Sequence, residues 1–240
     1  MASKAQSRRK SQIVVVDDHP VLRDGLIQLI AGQPDLDFTG TADNTADAKQ
    51  LLEESAPDLM ILDLRLKSGD ALDLIKTLRV EHPDVKVLVL SQYDELIFAE
   101  RTLRAGASGY VMKENATEEL LRAIKKVLAG DIYVSEPLAA SFVRRSLERK
   151  PSESRVGIER LSDRELQVFQ LIAASYSTRE IADEFRLSIK TIETHREHIK
   201  SKLGLQNGGE LNRFAEAWAA KNLLPFTPEP ETTGRCDPKR

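Results

Sequence analysis

Five short apolar runs are each followed by a stretch with helical spacing, and this strict alternation leaves few folds open. The runs are Ile13–Val16, Phe38–Ala42, Asp58–Leu62, Val85–Leu90 and Ser108–Met112. The helical stretches after them are Val21–Ala31, Thr45–Ser55, Asp70–Val80, Glu95–Arg104 and Thr117–Ala129. Consecutive parallel strands need a crossover, and a helix is the usual one, so helices come to cover both faces of the sheet. The runs are continuously apolar rather than alternating, as strands buried on both sides are. Residues 11–131 are therefore expected to form a five-stranded parallel, doubly wound α/β domain.

The pattern changes after Gly130. Pro137–Arg149 can form a helix carrying Arg144, Arg145 and Arg149, and residues 150–157 (KPSESRVG) are rich in chain breakers. Residues 132–157 thus read as a partly helical linker. From 158 to 222 only helical signals occur, and Ser162-x-x-Glu165 is a capping box that opens a helix. Residues 1–10 form a basic tail, and the proline-rich residues 223–240 are expected to be disordered. Residues 11–132 hold 13 Lys/Arg against 22 Asp/Glu, a net of −9, while residues 186–202 carry five Lys/Arg against two Glu. Such an asymmetry implies two functions on one chain. The apolar runs are too short to span a membrane. No apolar stretch follows the basic opening, so no signal peptide is expected. The only cysteine is Cys236, so no intrachain disulfide is possible and a cytoplasmic location is expected.

In an open α/β sheet, ligands bind at the carboxyl ends of the strands. Asp17 and Asp18 end strand 1, Asp63 ends strand 3, Ser91 ends strand 4 and Lys113 follows strand 5, so all five converge on one rim. Taken singly, each has a plain reading: the Asp17-Asp18-His19-Pro20 stretch as a helix cap, Asp63 as a turn residue, Lys113 as a solvated lysine. Their joint placement argues otherwise. Three carboxylates in one crevice call for a cation, and oxygen donors suit Mg²⁺. With Lys113 added, the set suits an aspartate that attacks a phosphoryl group. A phosphohydrolase would want a second acid/base aspartate just after the nucleophile; here Leu64 and Arg65 follow, so no enzyme acting on external substrates is expected.

The stretches IVVVDDHPVLRDGL, LMILDLRL, VLVLSQY and GASGYVMK resemble the receiver domain of response regulators, whose fold is flavodoxin-like. The resemblance implies that Asp63 is the phosphoacceptor. It implies that Asp17, Asp18, Asp63 and the backbone carbonyl of Arg65 hold Mg²⁺. Ser91 and Lys113 would contact the phosphoryl group, and Tyr110 would be an aromatic switch that follows Ser91 inward. Two positions depart from similar receivers: Lys67 stands where a proline is frequent, and Ala71 where a glycine is frequent. A positive φ at Ala71 would be strained, so the loop beside the site is expected to differ.

Residues 161–203 read as a helix over about Asp163–Ala174, a second from Ser177 or Thr178 to Phe185, and a third from a Ser188 cap through Leu203. Short helix, tight turn and longer helix make a helix-turn-helix. Unrolled at 100° per residue, the third helix places Ile192, His195, Ile199 and Leu203 on a core stripe. Lys190, Glu193, Thr194, Glu197 and Ser201 fall opposite, with Arg196 and Lys200 on one flank and His198 on the other. His195 reads as a packed histidine rather than a metal ligand. LSDREL, STREIADEF, LSIKTIETHR and IKSKLGL resemble the LuxR-type helix-turn-helix of the NarL/FixJ class. That implies DNA contacts from Lys190, Thr191, Glu193, Thr194, Arg196, Glu197 and Lys200. A fourth helix, Glu210–Lys221, would form a dimer, with Trp218 as packing. Ser175-Tyr176 stands where a glycine turn is common, so a looser turn is expected.

The expected protein is a phosphorylation-dependent DNA-binding regulator of transcription. Its expected partners are DNA, a sensor histidine kinase and a second copy of itself on activation, with no membrane. The rival reading is a phosphorylation-independent DNA binder whose receiver mainly dimerises.

Overall fold

The computed structural model describes residues 9–66, 68–147 and 157–222. The chain divides into two compact units, residues 1–154 and 155–240.

The first unit is a five-stranded parallel sheet. Its strands are β1 (Ser11–Val16), β2 (Leu36–Ala42), β3 (Leu59–Leu62), β4 (Lys86–Ser91) and β5 (Gly109–Met112), in the order β2-β1-β3-β4-β5. Helices α1 (Pro20–Ala31), α2 (Thr45–Ser55), α3 (Ala71–Glu81) and α4 (Glu95–Ala105) are the crossovers, and α5 (Ala116–Leu128) follows the last strand. Strands β1, β3 and β4 are buried almost throughout, as their apolar runs require. One face of the sheet packs Ile13, Ile61, Leu88 and Val111 against Leu26, Ile30, Leu120 and Ile124 of α1 and α5. Helix starts follow local chemistry. Pro20 opens α1, while the Asn44 and Asp70 side chains cap α2 and α3.

The loop between β3 and α3 solves its geometry at a position the sequence reading passed over. Gly69 has φ +90, and a Cβ there would land 1.8 Å from Thr45 Oγ1. Ala71 is simply the buried first residue of α3 and is not among the residues with positive φ. The expected strain at Ala71 is therefore absent, because the left-handed step falls two residues earlier. Lys67 lies outside the described residues.

After α5 the chain returns along β5. Tyr133 pairs in parallel with Gly109, its N–H donating to Ser108 and its carbonyl accepting from Tyr110. Helix α6 (Glu136–Leu147) follows, starting one residue before the expected Pro137; the expected end at Arg149 lies outside the described residues.

The second unit contains α7 (Asp163–Ala173), α8 (Thr178–Phe185), α9 (Ile189–Leu203) and α10 (Gly208–Asn222). Capping boxes at Ser162/Glu165 and Ser177/Glu180 start α7 and α8. Phe169 packs against Phe214 and Trp218 of α10, with ring centroids 6.0 and 5.4 Å away. Helix α10 begins two residues before the expected Glu210. Asn207 accepts from the Glu210 N–H while Glu210 accepts from Gln206 N–H, so a cap overrides two glycines of poor helix propensity.

The turn after α7 is tight despite lacking glycine. Ser175 takes φ 65, and the Tyr176 N–H reaches Leu171 O at 2.9 Å. A left-handed non-glycine residue costs roughly 1–2 kcal/mol, and glycine returns part of that as unfolded-chain entropy. Ser175→Gly should therefore stabilise the DNA-binding unit by about 0.5–1 kcal/mol, read by chemical unfolding. An unchanged or lower midpoint would contradict this account of the turn.

Candidate phosphorylation site and DNA-reading helix

The acid cluster sits where the strand order reverses, at the carboxyl ends of β1 and β3. Backbone ladders fix it: Asp17 N–H donates to Ala42 O at 3.1 Å and Asp63 N–H to Val16 O at 2.9 Å. Asp17 and Asp63 are each 1% exposed. The Lys113 ammonium, at the end of β5, lies 2.7 Å from Asp63 Oδ2 and 2.9 Å from Asp17 Oδ2. Asp63 Oδ1 also accepts from Arg65 N–H at 3.1 Å.

His19 joins this set, which the sequence reading missed. It stands at the cap position of α1 but makes no cap hydrogen bond with its side chain. Its Nδ1 lies 3.1 Å from Asp17 Oδ1, 3.0 Å from Asp18 Oδ1 and 3.8 Å from Asp63 Oδ2. Hydrogen bonds to Asp17 and then Asp18 push its pKa up to about 9. Adjacency to two aspartates at a helix start was the available signal.

Electrostatics separate the two buried carboxylates. Burial pushes Asp63 up to about 6, against the pull of Lys113. Burial also opposes ionisation of Asp17, but His19 and Lys113 outweigh it and hold Asp17 below the usual range. Burial would lower Lys113, yet Asp63 and Asp17 raise it. The site thus keeps an ionised acid, a fixed ammonium and a carboxyl whose charge is poorly neutralised.

A divalent cation fits that donor set. Ligand atoms of Asp17, Asp18, His19 and Asp63 all lie within 4.8 Å of one another. Asp17 Oδ2 and Asp18 Oδ1 are buried without a hydrogen-bond partner of proper geometry. Carboxylate oxygens of this kind suit a hard ion.

Ser91 is fully buried at the end of β4, and its Oγ accepts from Tyr93 N–H at 3.2 Å. Tyr110 is also fully buried; its hydroxyl donates to Tyr93 O at 2.6 Å. Burial pushes the phenol well above its ordinary pKa, against the Ser91 hydrogen bond. Tyr110 therefore lies inward, its hydroxyl held by the loop that begins at Ser91. Tyr93 stacks on Phe98 with ring centroids 4.8 Å apart.

In the second unit, Ile192 and Ile199 of α9 are fully buried, while His195 and Leu203 are half-buried on the same stripe. Burial lowers the His195 pKa, so this ring is neutral near pH 7. Lys190, Glu193, Thr194 and Glu197 are exposed and Thr191 is half-buried. Ser188 accepts from Thr191 N–H, and Arg186 makes the left-handed turn before it with φ 51. The two basic flank residues are less free than their spacing suggests. Arg196 is half-buried and donates to Asn212 Oδ1 of α10 at 2.9 Å. Lys200 pairs with Glu197 at 2.8 Å. The opposite flank is a shallow depression of about 320 Å³, lined by Ser188, Lys190, Thr191, Thr194, His195 and His198. Glu165 anchors α9 to α7, accepting from Lys202 Nζ at 2.5 Å and from Ser162 N–H at 2.7 Å.

An aspartate rim on a doubly wound sheet followed by a helix-turn-helix defines a phosphorylation switch joined to a DNA reader. Comparison agrees: residues 13–125 match the response regulator receiver domain and residues 159–215 the bacterial regulatory proteins of the luxR family. The oxygen regulatory protein NreC of Staphylococcus epidermidis is 36% identical over 221 residues, covering 90% of this chain and all of the relative. NreC of Staphylococcus haemolyticus is 36% identical over 220 residues, again 90% of this chain and all of the relative. Among solved structures, a LuxR-family two-component response regulator from Aurantimonas is 30% identical, with TM-score 0.54, covering 58% of this chain and 99% of that one. RcsB of Salmonella typhimurium, at 23% identity, shares the fold with TM-score 0.64 over 87% of this chain and 98% of its own.

The chain belongs to the two-component response regulators that carry a LuxR-type DNA-binding domain. It is a phosphorylation-dependent DNA-binding regulator of transcription. No helix among the described residues is long and apolar enough to cross a membrane.

Proposed function

We propose that Asp63 takes the phosphoryl group from a sensor histidine kinase in the cytoplasm, and that the phosphorylated chain pairs with a second copy on DNA. The observation that carries this is the Asp63 carboxylate, fully buried yet 2.7 Å from Lys113 and within reach of Asp17 and Asp18. One Asp63 oxygen attacks phosphorus while the kinase's phosphohistidine nitrogen leaves, so the group moves without a separate oxidant or base. Lys113 then balances phosphoryl oxygens, and Ser91, two residues before Tyr93, contacts one of them. Mg²⁺, held by Asp17, Asp18, Asp63 and the Arg65 carbonyl, supplies charge neutralisation for the phosphoryl oxygens. In this reading the receiver is residues 11–131, the linker 132–157 and the DNA-binding domain 158–222.

For DNA, α9 enters the major groove. Lys190 contacts phosphate, with Arg196 and Lys200 beside it, and Thr191, Thr194, Glu193 and Glu197 face base edges. A glutamate accepts from cytosine N4 and cannot pair with guanine O6 or N7, and a threonine methyl can meet a thymine methyl. The Thr194 hydroxyl already donates to Lys190 O at 3.0 Å, which leaves its methyl to meet DNA. Glu197 also holds Lys200, so Glu193 is the freer reader of the two.

A randomised-site selection with phosphorylated and unphosphorylated protein tests this reading, run beside Glu193→Gln and Glu197→Gln. Phosphorylation should enrich a two-half-site sequence, and Glu193→Gln should change one base position per half-site. A sequence preference and affinity untouched by phosphorylation would leave the receiver as a dimerisation unit only. Tighter binding by both variants with an unaltered preference would show that neither carboxylate reads bases.

A further inference from the structure

The segment between α5 and α6 is a strap over the β5 edge and reaches the start of α4. Tyr133 is nearly buried and donates and accepts across β5 as an extra strand would. Its hydroxyl accepts from Arg122 of α5 at 2.9 Å. Two residues on, the Ser135 hydroxyl donates to the Glu95 carboxylate at the first residue of α4. The same Oγ accepts from Leu138 N–H at 3.2 Å, while the Ser135 carbonyl accepts from Ala139 N–H at 2.9 Å, so Ser135 caps α6. Leu138 is fully buried just inside that cap.

Glu95 also lies at the end of the loop that leaves the phosphorylation site. That loop runs from Ser91, which binds Tyr93 N–H, through Tyr93, which receives the Tyr110 hydroxyl, to Asp94, whose side chain caps α4. A displacement of Ser91 toward a phosphoryl group therefore pulls on a loop pinned at both ends. One pin is Tyr110 in β5; the other is the Ser135 hydroxyl at the head of the linker helix.

We propose that Ser135 and Glu95 are positioning residues that pass the state of Asp63 to the linker helix α6, by making or releasing this single contact as α4 shifts. The inference rests on the phosphorylation-gated reading above. Its element is small and two-state: a hydroxyl that serves as both helix cap and tie to the switch loop. When α4 moves, the cap remains and the tie is lost, so α6 keeps its fold but changes its bearing on the receiver.

The test is DNA affinity with and without phosphorylation, beside the yield of phosphate on Asp63 by intact mass. Ser135→Asp keeps a good cap yet sets a second carboxylate against Glu95, and Glu95→Ala removes the acceptor. Both should take up phosphate within twofold of wild type. In both, the affinity gain on phosphorylation, typically about 5–150-fold for such coupling, should fall to within twofold of none. Ser135→Thr, which retains the hydroxyl, should keep the gain. A full gain in Ser135→Asp and Glu95→Ala overturns the relay, as does a loss of gain matched by a loss of phosphate uptake. A wild-type protein showing no gain would instead sink the phosphorylation-gated reading itself, which separates the two failures.

Discussion

Replacing Asp63 with asparagine should abolish phosphate uptake from a small phosphodonor with Mg²⁺ and should stabilise the metal-free receiver. The first effect follows from chemistry: among the clustered acids, Asp63 alone is both fully buried and held at the end of the central strand β3 against Lys113. An amide in its place is no nucleophile toward phosphorus. The second effect follows from burial, which raises the Asp63 pKa from 3.8 to about 6. A carboxyl whose folded pKa is raised contributes fully below its unfolded value, and that contribution disappears as pH rises through 6. At pH 7–8 the ionised group therefore costs on the order of 2–3 kcal/mol, which asparagine removes. The gain should shrink as pH is lowered from about 6 toward 4, and also when Mg²⁺ is added to the wild type. Thermal unfolding from pH 5 to 8, with and without the cation, reads both trends. A phosphate adduct of equal yield on Asp63→Asn would remove Asp63 as the acceptor.

Lys113→Ala should have the opposite effect on stability and a different effect on signalling. Lys113 lies within 3 Å of the Asp63 and Asp17 carboxylates, whose side chains are 0% and 2% exposed. Removing one partner of a buried ion pair costs about 3–5 kcal/mol, because charge is left uncompensated in a low dielectric. Here the metal-free protein should lose that much, less whatever His19 returns through its 3.1 Å contact with Asp17. Mg²⁺ should restore a large part of it, since a cation in the same cluster replaces the missing charge. Phosphate uptake should survive, but the rise in DNA affinity should fail, because in the proposed reading Lys113 would tie the phosphoryl group to β5. Calorimetry with and without Mg²⁺, beside a DNA titration of the phosphorylated variant, decides the matter. A variant that is as stable as wild type without the cation, or that still responds to phosphorylation, would contradict this account.

The sequence by itself determined the βα order, because continuous apolar runs such as Leu59–Leu62 can be satisfied only between two helical layers. It determined the acid rim as well: once the strands are parallel, residues at their carboxyl ends must share an edge, so Asp17, Asp18, Asp63 and Lys113 meet whatever the details. The capping box at Ser162 and the cap at Ser177 or Thr178 likewise placed the starts of α7 and α8 within one residue, since caps act locally. Tertiary structure alone decided where side chains turn. His19 holds the cap position of α1, yet its ring turns into the cluster, where the Asp17 and Asp18 carboxylates accept it. Arg196 and Lys200 occupy the flank that helical spacing assigns them, and Glu197 holds Lys200 at i,i+3 as that spacing allows, but Arg196 is held by Asn212 of α10, a partner that helical spacing does not reveal. Gly69, not residue 71, bears the positive φ of the site loop, and Thr45 of α2 leaves no room there for a side chain. The Tyr133 strap and the Ser135–Glu95 contact join residues up to 40 positions apart. No period or local motif records such contacts; they exist only because β5 ends the sheet and leaves an edge for the chain to cover.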